Sequence, residues 1–175
     1  MLVKSREQLV QILSERNIDF TNSPKGIEDL WNEIESGESS LMILNDGSLR
    51  RITHVILVKV FSPDGEKILT EVEQSYKNGI VRNRNIQSIA EKMVLGEEPL
   101  DTAERGLKEE LGINPELCSI KPILHNNNLP TPSSAYTGIE SIYVVHNFHV
   151  IVPESQYKPS YIEEDSKKIT TFKLV

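Results

Sequence analysis

The chain has 175 residues, enough for one domain with an appendage, and a formal net charge of −7. That balance argues against broad nucleic-acid or membrane-surface binding, which calls for a basic patch, but leaves room for a small phosphorylated ligand held by a local cation. Cys118 is the only cysteine, which rules out an internal disulfide and a thiolate zinc cluster and points to a cytoplasmic protein; no apolar run approaches a membrane span, and the N-terminus lacks the apolar core of a signal peptide.

Ser5 followed by Gln8 has the form of a capping box, and Leu9, Ile12 and Leu13 make an apolar stripe, which predicts a helix over 5–16. Ser23 as cap, Pro24 as first helical residue and Gly37 past the end predict a second helix over 24–36. Ile27, Leu30, Trp31 and Ile34 recur at i, i+3, i+4 and i+7, so that face is expected to be buried. From residue 39 the pattern changes to three strand-like runs, separated by turn signals at Asn45-Asp46-Gly47 and Asp64-Gly65. Arg50 and Arg51 open one of these runs and are expected to be solvated. Val55 to Phe61 is apolar on both faces apart from Lys59, as in a central strand. Further on, 117–124 reads as a strand, 125–138 as a polar loop containing proline, and 139–152 as the strongest late strand. Residues 157–168 read as a charged loop and 169–175 as a final strand. The fold class is α/β (α+β), a mixed-sheet domain over 41–175 with an N-terminal helical segment, 1–40, packing on or next to it.

One segment interrupts the β body: "GEEPLDTAERGLKEELGI", Gly96 to Ile113, with six carboxylates. Pro99 suits an early helical position and Gly112 a C-terminal cap, which predicts a helix over 99–111 with Ala103, Leu107 and Leu111 as its buried stripe. Glu109 and Glu110 stand side by side near its C-terminal end, where the helix dipole favours cations. A hard divalent ion would give them a reason to be there. A solvated acidic face paired with Arg105 and Lys108 is the plainer alternative, and charge alone leaves both open.

The spacing resembles the Nudix box, G-x5-E-x7-R-E-U-x-E-E-x-G-U, where U is a bulky aliphatic. Anchored on Gly112, its first glutamate falls on Glu97, its arginine on Arg105, its paired glutamates on Glu109 and Glu110, and its aliphatics on Leu107 and Ile113. The likeness extends over roughly 50–175. Two positions depart from it: the opening glycine is Glu91, and the glutamate after the arginine is Gly106. The resemblance implies a Nudix-like mixed sheet with flanking helices. It also implies Mg²⁺ or Mn²⁺ held by box glutamates, and hydrolysis of a phosphoanhydride in a nucleoside diphosphate linked to another group. It assigns Glu109 and Glu110 to catalysis and metal binding, Arg105 to a salt bridge that orients them, and Glu97 to the metal site and the loop–helix geometry. With Gly106 in place of a principal ligand, turnover is expected to be weak at best, and an acid from elsewhere is needed. Glu98, Glu104, Glu140 and the run Glu163-Glu164-Asp165 are the candidates, with Glu164 chosen. The family's sheet is ordinarily covered by a further helix, for which the Trp31 helix is expected to substitute. The same departures suit an alternative, a catalytically inactive Nudix-fold module for nucleotide binding or regulation.

Arg82 and Arg84 precede the box and point the same way if their segment is a strand, which makes them the candidate substrate-phosphate ligands; a basic loop balancing the acidic helix is the alternative. Tyr76 or Tyr136 has the ring to stack on a base, with nothing to select either. His146 and His149, three apart on a strand, face opposite sides and make a poor metal pair. His54 and His125 carry no supporting pattern. The expected partner is a nucleotide or other small phosphoanhydride. The oligomeric state stays open, a homodimer included.

Overall fold

The computed structural model describes residues 1–124 and 130–175; His125 and the start of the polar loop lie outside the described residues. The chain divides into two compact units. The first comprises 1–55, 92–97 and the described part of 126–145, and the second 56–91, the described part of 98–125, and 146–175. Two long strands, β2 (Leu49–Phe61) and β8 (Glu140–Ile151), contribute residues to both.

In the first unit α1 spans Arg6–Glu15. Ser5 Oγ accepts the Gln8 N–H at 3.2 Å, and Gln8 Oε1 accepts the Lys4 N–H at 2.9 Å, so the reciprocal bond falls one residue earlier than a capping box puts it. The second helix, α2 (Ile27–Glu35), begins three residues after Pro24. The Lys25 N–H donates to the Ala135 carbonyl at 3.3 Å, which holds it out of a helix. Gly26 is therefore the cap, its N–H donating to the Asp29 carboxylate at 2.8 Å, while Ser23 Oγ accepts the Thr137 N–H. Gly37, with φ of 81°, ends the helix as predicted. The first strand, β1 (Ser40–Ile43), pairs antiparallel with the start of β2. The short β7 (Thr131–Pro132) pairs with the start of β8. Leu9, Ile12 and Leu13 of α1 meet Leu30 of α2, Leu41, Leu49, Tyr136 and Ile139 in one core, and Trp31 packs against it. The Trp31 helix thus packs in one core with Leu41 of β1 and Leu49 of β2, each buried aliphatic side chain adding about 1.5–3 kcal/mol of transfer free energy.

Arg50 and Arg51 are not solvated. Arg51 is 3% exposed, because its guanidinium meets the buried Glu33 carboxylate at 2.5 Å. Arg50 pairs with Glu140.

The second unit holds a four-stranded antiparallel sheet. Its order is β4 (Val81–Ile86), β3 (Leu69–Tyr76), β10 (Lys168–Leu174), β9 (Ser160–Glu164). In β9, within the stretch that reads as a charged loop, Tyr161 is buried and Glu163 half-buried, while Ile162 and Glu164 are exposed. Among the described residues it pairs only with β10, and an edge position tolerates such charge. In β10, Thr170, Phe172 and Leu174 are buried. A short strand, β5 (Ile89–Lys92), precedes the box segment, and β6 (Ser119–Ile123) pairs with the end of β8. The larger sheet runs β1–β2–β8–β6, with β5 also on β2 and β7 on β8, so the fold is mixed α/β.

The box helix, α3, spans Pro99–Leu111, and Ala103, Leu107 and Leu111 are its buried stripe, both as predicted. Gly112 adopts φ of 64°, and the Ile113 N–H turns back to the Leu107 carbonyl. No helix among the described residues is long and apolar enough to cross a membrane.

Candidate functional site

The second unit's α3 carries Arg105, Gly106, Glu109 and Glu110, and β5 carries Glu91 beside them. Gly106 is buried, and its backbone is ordinary helix, so no dihedral requirement keeps a glycine there. Room does. A Cβ built on Gly106 would lie 2.8 Å from Glu91 Cγ and 3.5 Å from Ile89 Cδ1. The side chain from β5 occupies the volume that residue 106 gives up, and α3 bears a helix-interior glycine at a cost of about 1 kcal/mol.

Glu91 is fixed from two sides. Arg105 Nη1 donates to its Oε2 at 2.9 Å and reaches Glu109 Oε2 at 3.4 Å. On the other side Glu91 acts on the Glu110 carboxyl. Burial raises the Glu110 pKa to about 9, helped by Glu91 and by the negative charge of Glu163; Lys168 opposes the shift. Glu110 therefore keeps its proton at neutral pH.

Glu110 borders a cavity of about 240 Å³ whose polar lining includes Glu71, Arg84, Glu163, Lys168 and Thr170, with Ile86, Ile89 and Phe172 as apolar wall. Glu71 and Arg84 form an ion pair at 3.1 Å. The cavity offers acids beside cations, a lining able to receive an anionic group and a cation together.

The residues that the sequence singles out separate here. Glu110 faces the cavity, whereas the Glu109 side chain is 62% exposed and meets Arg105. Glu164 lies on the exposed face of β9 near Lys77, 3.7 Å away, while its neighbour Glu163 lines the cavity. Asp165 accepts the N–H groups of Lys167 and Lys168 in the β9–β10 turn. Arg84 lines the cavity; Arg82 is exposed and lies over the Tyr76 ring at 5.1 Å. Glu97 belongs to the first unit, where its carboxylate accepts the Val94 N–H at 2.9 Å beside a cavity of about 290 Å³. Tyr136 is fully buried in that unit's core, which leaves no face for a base. Among the described residues, no three or more His, Cys, Asp or Glu side chains converge to hold a metal ion. Sequence reasoning does not reach Glu91, Glu71, Lys168 or Thr170 as site residues. A signal exists for the first of these: an acid stands where the box has glycine, and glycine where it has an acid.

No protein-family model matches the chain, and no curated protein does. Among solved structures it is similar to the E. coli dihydroneopterin triphosphate pyrophosphohydrolase, at 15% identity and a TM-score of 0.46, over 70% of this chain and 79% of that one. It is also similar to a NUDIX-family hydrolase from Clostridium perfringens, at 14% identity and 0.38, over 69% and 80%. A third likeness is to a Nudix hydrolase from M. smegmatis, at 13% identity and 0.38, over 77% and 78%. In the spacing of its box this chain resembles the Nudix superfamily.

Proposed function

We propose that the chain is a Nudix-type hydrolase that uses Mg²⁺ or Mn²⁺ to cleave a phosphoanhydride in a nucleoside diphosphate linked to another group. The observation that carries this reading is Glu110 on the box helix, bordering a cavity that also holds the acids Glu71 and Glu163 and the cations Arg84 and Lys168. The donor set fits a hard divalent ion. Mg²⁺ is commonly held by one or two carboxylates, with water and substrate oxygens filling its other positions, so a third convergent acid is not required. Glu110 would hold it, with Glu163 as the second acid of the lining that acts on the same site. Such an ion, when bound, offsets charge on a pyrophosphate and makes water a better nucleophile at neutral pH. Arg84 and Lys168 would meet phosphate oxygens as charge-assisted donors.

The test is turnover. Dinucleotides, nucleotide sugars and nucleoside triphosphates are incubated with the protein in Mg²⁺ or Mn²⁺ and their products followed. Hydrolysis that Glu110→Gln abolishes is the expected result. A second reading, a non-hydrolytic nucleotide-binding module, is favoured by Gly106, since the helix lacks the box's own carboxylate there. It predicts a Tm that rises with a nucleotide in a protein that turns over none of the panel.

A further inference from the structure

We propose that Glu91 is a cation-ligating carboxylate of this site, delivered from β5 into the space that Gly106 leaves open on α3, so that the two positions work as a pair. This inference rests on the metal-dependent reading above and adds to it a residue for which the box pattern has no carboxylate. Three observations lead to it. The Glu91 side chain is packed over Gly106, its Cγ 2.8 Å from where a Cβ would stand. Its side chain is 19% exposed, with the carboxylate held by Arg105 at 2.9 Å, whereas the side chain of Glu109, the paired glutamate beside Glu110, is 62% exposed. The cavity that Glu110 borders also lacks an internal partner for one of its own groups. Thr170 is 1% exposed, and its hydroxyl makes no hydrogen bond among the described residues. Buried hydroxyls are nearly always satisfied, so an orphaned one in a cavity wall points to a polar occupant that completes it.

The geometry also accounts for Arg105. An arginine that bonds Glu91 aligns a carboxylate arriving from another element, and leaves its partner Glu110 to meet it from the helix. The two oxygen donors then come from two elements rather than from successive turns of one helix.

Mn²⁺ binding to the full chain tests this without any substrate, read from the electron paramagnetic resonance signal of free Mn²⁺. Four proteins are compared: wild type, Glu91→Gln, Glu110→Gln, and the exchange variant Glu91→Gly with Gly106→Glu. Glutamine is nearly isosteric, and circular dichroism checks that each variant is folded. Glu91→Gln is expected to weaken Mn²⁺ binding at least tenfold, and the exchange variant to recover most of the loss by returning the carboxylate from the helix. If Glu91→Gln binds Mn²⁺ as tightly as wild type while Glu110→Gln does not, Glu91 is a packing residue and this proposal fails, with the metal-dependent reading intact. If wild type itself leaves the Mn²⁺ signal unchanged, that reading fails and takes the proposal with it.

Discussion

Each unit of the molecule withdraws a glutamate from solvent, Glu33 buried in the first and Glu110 half-buried in the second, and the two are treated in opposite ways. Glu33 in α2 is 6% exposed and surrounded by positive charge: Arg51 at 2.5 Å, Lys25 at 2.7 Å and Lys92 at 3.1 Å, with Ser39 donating at 3.0 Å. Burial by itself would raise its pKa, but the hydrogen bonds from Lys25, Arg51 and Lys92 more than reverse that and hold it well below the usual carboxylate range. Glu110 in α3 has another acid as its partner and is pushed up to about 9. A carboxylate whose charge is fully matched by the protein serves the fold. One that faces a second acid beside a cavity, with Lys168 unable to reverse its shift, has the pattern often found in a binding or catalytic group.

The largest break in this comparison should come from the satisfied residue. Glu33→Ala strands the buried Arg51 guanidinium, and removing one partner of a buried pair costs about 3–5 kcal/mol. Urea denaturation followed by far-ultraviolet circular dichroism measures the loss, and hydrogen exchange should place it in α1, α2 and β1. A loss under about 1 kcal/mol would mean that the hub is screened by water and is not what holds the first unit together.

Glu110→Gln comes next, and its two effects should have opposite signs. Turnover should fall at least 100-fold, about 2.7 kcal/mol in barrier. Thermal stability of the metal-free protein at pH 8 should rise, because an amide removes the need to keep a proton on a half-buried acid. The pH dependence comes from the same group. The folded pKa of Glu110 lies near 9, above the ordinary 4.5, so between those values the native state holds a proton that the unfolded chain has released. Stability is therefore full below about pH 4.5 and drains as pH rises through 9. Glu33 works in reverse: its lowered pKa contributes stability at neutral pH that is lost as pH falls below the ordinary glutamate value. Wild type should thus lose melting temperature on both sides, Glu110→Gln only on the acid side, and added Mn²⁺ should restore wild type on the alkaline side. A profile that Glu110→Gln leaves unaltered above pH 7 would remove the basis for treating Glu110 as the unsatisfied acid.

Much of the scaffold is legible in the sequence. Pro99 and Gly112 bracket α3 because each has a backbone requirement that few other residues meet, and the turns at Asn45-Asp46-Gly47 and Asp64-Gly65 separate β1, β2 and β3 for the same reason. What stays hidden depends on partners distant in sequence. Arg51 reads as a surface cation until Glu33, 18 residues away, is placed against it. The strand β9 hides because its inward positions are a tyrosine and a glutamate, so its alternation carries no apolar signal. That alternation also decides between neighbouring acids, turning Glu163 to the cavity and Glu164 to solvent. Pro24 suggests a helix start that a single bond from Lys25 to Ala135 displaces. The candidate site is half visible: the box spacing singles out Glu110 and Arg105, while the packing of Glu91 over Gly106 emerges only when β5 lies over α3.

The smallest effect expected is also the one most specific to that pair. In the wild-type background, Gly106→Ala gains about 1 kcal/mol of helix propensity but sets a Cβ 2.8 Å from Glu91 Cγ, and overpacking of that kind costs about 1–3 kcal/mol. The net change should be a loss of about 1 kcal/mol, or 2–4 °C in Tm for a chain of this size. With Glu91→Gly already in place, the neighbour that remains is Ile89 Cδ1 at 3.5 Å, an ordinary contact, so the same alanine should now raise Tm. The reversal of sign is the measurement, because any general cost of Glu91→Gly, including the lost bond to Arg105, cancels across the cycle. An alanine effect equal in both backgrounds would show that Gly106 is indifferent to the side chain above it. The exchange of acid and glycine between β5 and α3 would then have no structural consequence.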